Sequence, residues 1–296
     1  MLIDCHCHIA NTPSVPRRDG SQYVAPEELI AMMDESGVDR AVILPSASPE
    51  CRVQYVPTEA VLEIAATRPD RFIPFCNVDP RMDSNSPDAD LGRFLAHYRE
   101  RGCRGLGELT ANLLFDDPMV WNLLGRCAEH ALPVTVHIAP RVGGCYGLVD
   151  DLHLPRLEAT LKQFPDLILL GHSQPFWAEI GPDVTDETRN GYPAGPVGQG
   201  GRVPDLLERY PNLYGDLSAN SGFNAVSRDP DFGWAFLERF QDRLLFGTDI
   251  VSTGNARPLA DYLRTGRAEG RLSDEAWEKI AWRNADRLFR LGLGGG

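Results

Sequence analysis

The chain contains seven histidines, and four of them stand at or near the ends of short apolar runs that are typical of β-strands. Two acidic residues, Glu108 and Asp249, end similar runs. Imidazole nitrogens and carboxylate oxygens are ligands that Zn²⁺ and related transition metals take in proteins. If the runs are parallel strands, all six side chains meet at one edge and predict a metal site with room for a bound water. The four histidines are His6, His8, His137 and His172, whereas His97, His130 and His153 fall in helical patterns.

The elements that must position these side chains alternate along the chain. Eight β-rich runs are expected to be strands, at 2–8, 39–45, 71–78, 104–109, 133–138, 167–172, 212–218 and 243–249. Seven amphipathic stretches between them predict helices, at 26–36, 57–68, 87–101, 117–131, 153–163, 202–210 and 230–240. Strand–helix alternation implies a parallel sheet, and eight such units favour an α/β fold of the closed (β/α)₈ TIM-barrel type. No glycine-rich phosphate-binding motif follows the first strand, which argues against dinucleotide-binding and P-loop folds.

We find no linker that divides the sequence, so residues 1–296 are expected to form a single barrel domain. Two long segments that follow strands, 9–25 and 173–201, are expected to form the mouth of the barrel, where the active sites of such folds lie. The stretch 256–291 predicts two or three C-terminal helices, and 292–296 a frayed tail.

Composition narrows the range of partners. The chain has 29 basic and 42 acidic residues, a net charge of −13, and no long cluster of Lys and Arg. Nucleic acid and membrane surfaces are therefore disfavoured, and a small-molecule substrate is expected. No apolar run approaches the length of a membrane span, so a cytoplasmic location is expected. Whether the chain forms a homo-oligomer stays open.

The seven cysteines are odd in number and scattered, which favours free thiols over a disulfide framework. Cys5 and Cys7 flank His6 in the first predicted strand. Because side chains alternate between the two faces of a strand, we expect both thiols on the face opposite His6 and His8, buried against helices and not bound to metal.

Five motifs occur in order along the chain: IDCHCH, VHI, LLGHS, LLFGTD and the closing IAWRNADRLF. Together they resemble the amidohydrolase superfamily, in particular the amidohydrolase-related branch that includes amino-carboxymuconate-semialdehyde decarboxylase. The resemblance implies that His6, His8 and His137 bind a divalent metal, with Zn²⁺ as the expected ion and Mn²⁺ as the alternative. It also implies that Asp249 binds metal or accepts a proton. His172 would then hold a second metal or stabilise the transition state.

Glu108 leaves the number of metal ions open. Its surroundings, GLGELT, resemble the metal-dependent deoxyribonuclease branch, in which a Glu bridges two ions. The alternative is a Glu108 that hydrogen-bonds a ligand or a water. One or two ions are therefore expected.

Substrate contacts are predicted from the mouth segments. Arg17, Arg18, Arg52 and Arg141 could clamp a carboxylate, and Arg141 is the best placed because it follows His137 by four residues. Phe176, Trp177 and Tyr192 could form an apolar wall. Asp216 could orient a metal ligand or make an ordinary hydrogen bond at the strand end.

The favoured function at this point is metal-dependent hydrolysis of a small, carboxylate-bearing organic substrate, with metal-activated water as the nucleophile. Asp249 would take the proton, and His172 would stabilise developing charge if it is not a ligand. One alternative is non-oxidative decarboxylation or hydration of a small unsaturated carboxylic acid. Another is a barrel without metal that only binds a ligand. Nuclease activity is suggested by the GE motif alone and is opposed by the net charge.

Overall fold

The strands of this protein are short and parallel, as the alternating sequence predicts. The structure, a computed structural model, describes residues 1–294. Within that range lie β1 (Ile3–His8), β2 (Arg40–Leu44), β3 (Phe72–Pro74), β4 (Leu106–Leu109), β5 (Val134–Ala139), β6 (Leu148–Val149), β7 (Leu169–His172), β8 (Leu213–Asp216) and β9 (Leu244–Leu245). Eight of them correspond to the predicted strands. The two-residue β6, which pairs with the end of β5, was not predicted.

Parallel ladders connect these strands into two arcs, β1-β2-β3 and β4-β5-β7-β8-β9. Single parallel bridges join the arcs, between Cys76 and Leu106 on one side and between Cys7 and Ile250 on the other. The chain therefore forms a (β/α)₈ TIM barrel, and the carboxyl ends of its strands share one mouth.

Helices cover the outside of the barrel. The seven predicted ones are α1 (Pro26–Ser36), α2 (Thr58–Thr67), α3 (Gly92–Glu100), α4 (Pro118–Glu129), α5 (Pro155–Gln163), α7 (Arg202–Arg209) and α9 (Pro230–Arg239). Two more were not predicted, α6 (Gln174–Ala178) and α8 (Ala219–Ser227). The C-terminal region contains α10 (Pro258–Ala268), α11 (Asp274–Glu278), a π-helical turn (Lys279–Arg283) and α12 (Asn284–Phe289).

The apolar core has two layers. Alternate residues of β2 show the division: Ala41 and Ile43 pack outward against the helices, whereas Val42 and Leu44 belong to a cluster inside the barrel. Phe289 of α12 belongs to the inner cluster and meets Phe75 edge-on, with ring centroids 5.0 Å apart. Because the inner cluster also takes in Ile3, at the start of β1, α12 closes the barrel at the end opposite the mouth.

The expectation that Cys5 and Cys7 share the outer face is wrong. The pairing of β1 with β2 shifts register between Asp4 and Cys7, as at a β-bulge. Cys7 packs in the outer layer, but Cys5 joins the inner cluster. The bulge therefore places Cys5, His6 and His8 on the inner side of β1. All seven cysteines are free.

The tail is partly held in place. The N–H groups of Leu293 and Gly294 donate to the Asp286 carboxylate, so residues 292–294 do not fray as expected, and residues 295 and 296 lie outside the described range. None of the described helices has both the length and the apolar character that crossing a membrane requires.

Candidate metal centre

Six side chains from five different strand ends converge at the mouth. Their imidazole and carboxylate atoms form three overlapping groups, and within each group the ligand atoms lie within 4.8 Å of one another. The groups are His6, His8 and Glu108; His6, His172 and Asp249; and Glu108, His137 and His172. All six residues that the sequence singled out as a metal site thus occupy one cluster.

The pair His6 and His8 shows the chemistry that this cluster requires. The Nδ1 atom of His6 lies 2.6 Å from Oδ2 of Asp216, so the ring donates its Nδ1 proton to that carboxylate. Nε2 of His6 then presents a lone pair toward Nε2 of His8, only 3.2 Å away. At this separation the two nitrogens either share a proton or bind a common cation, so the pair can hold a metal ion.

Burial sets the protonation of the histidines. It lowers the pKa of His8 to about 4, which Glu108 only partly offsets, and the pKa of His172 to about 3. Both rings are therefore neutral at pH 7, as metal ligands must be. For His6, burial lowers the pKa, but Asp216, Asp249 and Glu108 outweigh it and raise the pKa to about 10. Without metal, a proton on His6 compensates part of the negative charge of these carboxylates.

Glu108 and Asp249 each lie between two pairs of histidines, His6 with His8 and His137 with His172. Oε2 of Glu108 lies 3.4 Å from Nε2 of His8, and its Oε1 lies 2.6 Å from Nδ1 of His137. Oδ1 of Asp249 lies 3.5 Å from Nε2 of His6, and its Oδ2 lies 3.9 Å from Nε2 of His172. Each carboxylate thus directs one oxygen toward the pair His6 and His8 and the other toward the pair His137 and His172. This arrangement fits one or two divalent ions.

The two carboxylates differ in proton affinity. Burial raises the pKa of Asp249 to about 7, although the facing His6 opposes the shift. Burial acts in the same direction on Glu108, but the contacts of that group with His137, His8 and His6 hold its pKa well below the usual range. Asp249 is also the more accessible group, since its side chain is 25% exposed and that of Glu108 is 5% exposed.

Asp4 connects the two ends of the barrel sheet beneath the cluster, and sequence reasoning missed it. Its buried carboxylate accepts hydrogen bonds from the N–H and hydroxyl groups of Thr248 and from the N–H of His6. The N–H of Asp249 in turn donates to the carbonyl of His6. Asp4 therefore aligns β1 with the segment that carries Asp249. An acidic residue two positions before His6, in a predicted strand with no other acidic residue, is the signal that could have identified it.

Asp216 orients a candidate ligand, which was one of two roles open from sequence. Besides His6, its carboxylate contacts the Cys5 thiol, with Oδ1 3.3 Å from Sγ, and accepts from the N–H of Ser218. Gly247 leaves the space for this contact, since a Cβ there would lie 3.0 Å from Oδ1 of Asp216 and 3.1 Å from the Cys5 sulfur. Cys5 is thus adjacent to the metal centre, contrary to expectation.

Two cavities of about 180 Å³ open beside the cluster, and both are bordered by Asp249 and Tyr146. The first, which we call the Arg52 cavity, is also lined by His8, Arg17, Tyr23, Arg52 and Glu108. The second, the Ser221 cavity, is also lined by His137, His172, Gln174, Tyr192, Asn220 and Ser221.

Arg52 is the basic side chain held most firmly at the mouth. Its guanidinium donates to the hydroxyl oxygens of Tyr23 and Thr110, at 3.0 and 2.9 Å, and lies 5.5 Å from the ring centroid of Tyr146. Its Nε is buried and has no hydrogen-bond partner among residues 1–294. Arg17 lies over the Tyr23 ring at 4.5 Å and borders the same cavity.

Four predicted substrate contacts line neither cavity, namely Arg18, Arg141, Phe176 and Trp177. Arg141 is exposed on the loop after β5 and borders neither cavity, because that loop turns outward before β6. Phe176 and Trp177 are fully buried in α6 and pack against Gly171 and Gly215, where a Cβ would come within 2.4 and 2.7 Å of their rings. They support the strands from outside and line neither of the two cavities. Of the predicted aromatic wall, Tyr192 does line a cavity.

Comparison with known proteins gives a family and a fold. The family model described as amidohydrolase matches residues 3–291. A search of curated proteins found no match.

Solved structures with this fold include enzymes of two reaction types. A 2,6-dihydroxybenzoate decarboxylase from Rhizobium is 19% identical, with a TM-score of 0.60 over 98% of this chain and 99% of that chain. A 5-carboxyvanillate decarboxylase from Novosphingobium aromaticivorans, complexed with manganese, is 15% identical, with a TM-score of 0.62 over 98% and 96%. A probable 2-pyrone-4,6-dicarboxylic acid hydrolase from Acinetobacter baumannii is 15% identical, with a TM-score of 0.60 over 98% and 99%.

Proposed function

The chain belongs to the amidohydrolase family, and on that premise we propose that it is a divalent-metal-dependent, non-oxidative decarboxylase of a small planar carboxylic acid. The observation that carries the proposal is the Arg52 cavity, in which a guanidinium and two tyrosine rings border the same space as His8, Glu108 and Asp249. Decarboxylases among the proteins of similar fold support this reaction over the hydrolysis favoured from sequence.

The metal would be held by His6, His8 and Asp249, with His137, His172 and Glu108 completing the donor set. A bound divalent cation would supply positive charge to withdraw electrons from the substrate. We propose Mn²⁺ as readily as Zn²⁺, because a mixed nitrogen and oxygen donor set suits both and one protein of similar fold was solved with manganese. This donor set also argues against a barrel that only binds ligands.

Arg52 would bind and orient an anionic oxygen of the substrate. Its guanidinium is held by Tyr23 and Thr110, so little side-chain entropy is lost when an anion binds. The rings of Tyr23 and Tyr146 would keep a flat substrate between Arg52 and the ligand cluster.

Asp249 would deliver the proton that the reaction consumes. In decarboxylation the bond between the substrate carbon and its carboxyl group breaks, CO₂ leaves, and a proton takes its place on that carbon. Asp249 borders both cavities and is the more exposed of the two candidate carboxylates, so it can reach the substrate and recover a proton from solvent between turnovers.

The test measures CO₂ release by protein loaded with Mn²⁺ or Zn²⁺. The first substrates to be tried are 2,6-dihydroxybenzoate and 5-carboxyvanillate, and chromatography identifies the product. Arg52→Ala should raise KM or abolish turnover while metal content stays unchanged, and Arg18→Ala, at an exposed position outside the cavity, should have no effect. If loaded protein releases no CO₂ but opens the lactone of 2-pyrone-4,6-dicarboxylate, hydrolysis replaces this proposal.

Hydrolysis is the second candidate because of the Ser221 cavity. That cavity is lined by hydroxyl and amide side chains beside His137 and His172, a setting that can hold a water molecule next to the cluster.

A further inference from the structure

Helix α8 begins against the metal centre. The residue before it, Ser218, places its hydroxyl oxygen 3.0 Å from Nδ1 of His172, and its N–H donates to Asp216. The first helical residues, Ala219, Asn220 and Ser221, border the Ser221 cavity. The amino-terminal end of a nine-residue helix, with its partial positive charge, therefore lies at the mouth.

The first turn of α8 leaves hydrogen-bond donors unused. The N–H of Ala219 donates to the carbonyl of Thr248, and that of Gly222 to the carbonyl of Ser218. The N–H groups of Asn220 and Ser221 donate to no acceptor among the described residues. Such unpaired amides at a helix start are the usual ligands of anions.

The Ser221 side chain adds a second, independent indication. Ser221 is only 4% exposed, yet its hydroxyl has no hydrogen-bond partner within residues 1–294. A buried hydroxyl without a partner costs stability, so its position beside a cavity indicates a ligand as the missing partner. Asn255 also lines the cavity. Its Oδ1 accepts from the N–H groups of Val251 and Ser252, and its NH₂ donates to no acceptor among the residues that the structure describes.

We propose that the first turn of α8 is a second carboxylate-binding subsite, in which the N–H groups of Asn220 and Ser221 and the Ser221 hydroxyl bind a substrate carboxylate that does not react. The substrate would then be a planar dicarboxylic acid that lies across the metal centre from the Arg52 cavity to the Ser221 cavity. This inference rests on the proposed function, because it assigns the substrate class of the same site.

Position favours an anion as the occupant. The helix start presents the N–H groups of Asn220 and Ser221, the Ser221 hydroxyl and the Asn220 side-chain amide, and each of these can donate a hydrogen bond to a carboxylate oxygen. The one carboxylate that borders the cavity, Asp249, belongs to the metal donor set and is compensated by the cation when metal binds.

The experiment compares two probes by calorimetry on Mn²⁺-loaded protein: benzoate, with one carboxylate, and isophthalate, with two in a meta arrangement. Isophthalate should bind at least about tenfold more tightly than benzoate, as expected for hydrogen bonds to a charged group. Ser221→Ala should reduce this preference about three- to tenfold and leave benzoate affinity unchanged. Ser221→Asp should abolish the preference through charge repulsion. Ser227→Ala, at the other end of the same helix, should behave as wild type.

An unchanged preference in both Ser221 variants would overturn the subsite, as would a failure of wild type to bind either probe or an equal loss of both probes in Ser221→Ala. The subsite and the reaction can fail separately. A Ser221-dependent preference in protein that releases no CO₂ would support the subsite and reject decarboxylation. CO₂ release by protein that shows no preference for isophthalate over benzoate would support decarboxylation and reject the subsite.

Discussion

Asp216 contacts His6 through one short hydrogen bond and has no place in the donor set itself, yet it decides which nitrogen His6 presents to the cluster. We therefore expect Asp216→Asn to lower Mn²⁺ affinity about 10- to 100-fold with little change in the folded structure. A Mn²⁺ titration of the purified variant measures this. Asp242→Asn, an exposed acid paired with Lys279, is the matched control and should titrate as wild type.

We expect Glu108 to determine whether one or two ions bind. The two oxygens of Glu108 face different pairs of histidines, so we expect wild type to bind two Mn²⁺ ions. Glu108→Gln should bind only one, because loss of the negative charge leaves the repulsion between two cations uncompensated. Metal analysis by mass spectrometry gives the stoichiometry, with exposed Glu63→Gln as the control. Saturation of wild type at one ion, with the same count in the variant, would reduce Glu108 to a hydrogen-bond partner of His137.

The six clustered side chains could be predicted because their residue types and their positions at strand ends can be recognised in the sequence alone. It did not predict what lies around them. Cys5 was placed on the wrong face because a single register shift in β1 reverses the alternation. Arg52 ranked below Arg141 because sequence distance from a histidine says nothing about which way a loop turns.

At the scale of elements, α8 depends on a glycine for its place beside the cluster. A Cβ on Gly222 would lie 2.2 Å from the carbonyl oxygen of Leu217, so Gly222→Ala must move the first turn away from the strand end. We expect a loss of about 1–3 kcal/mol in the free energy of unfolding, with weakened binding of isophthalate. Urea denaturation and calorimetry measure the two effects. Gly254→Ala, where nothing lies within 4 Å, should leave both unchanged.

The segment 173–201 is anchored by a buried arginine. Arg189 is fully buried, donates to the carbonyl of Asp150 and lies 3.5 Å from the buried carboxylate of Glu179. Arg189→Met should lower the free energy of unfolding by about 3–5 kcal/mol, because the buried Glu179 loses its arginine partner and keeps only its contacts with His153. Denaturant unfolding provides the value. The double variant with Glu179→Leu should recover much of the loss, and no recovery would contradict the ion-pair explanation.

Helices and strands were predicted correctly where the hydrophobic periodicity is strong. They were missed where tertiary contacts, and not the local sequence, determine the secondary structure. The seven predicted helices span whole amphipathic turns, but α6 has only five residues, all within the segment expected to be a loop. Helix α8 has the sequence ANSGFNAVS, in which Gly, Ser and Asn are poor helix formers, and it is stabilised by packing and not by propensity. Strand β6 has two residues, too few to show a period.

For the whole molecule, metal binding and stability are coupled, because the cluster collects two carboxylates and four histidines in a buried space. Removal of metal with a chelator should lower Tm, and Mn²⁺ at about 100 times its Kd should add about 2.7 kcal/mol to the free energy of unfolding. Differential scanning calorimetry tests this. His6→Ala should lose the response to Mn²⁺, whereas His97→Ala, on the exposed face of α3, should retain it. A Tm independent of Mn²⁺ in wild type would contradict a resident metal.

The closure of the barrel has a consequence for the order of events on the ribosome. Asp4 and Thr248 are 244 residues apart, and Phe289 completes the inner core from the last helix. At about 5–20 residues per second, translation of the stretch between Asp4 and Thr248 takes on the order of 12–50 seconds. Through that interval His6 and His8 have been synthesised but Asp249 has not, so we expect the complete donor set to form only after translation has passed Asp249.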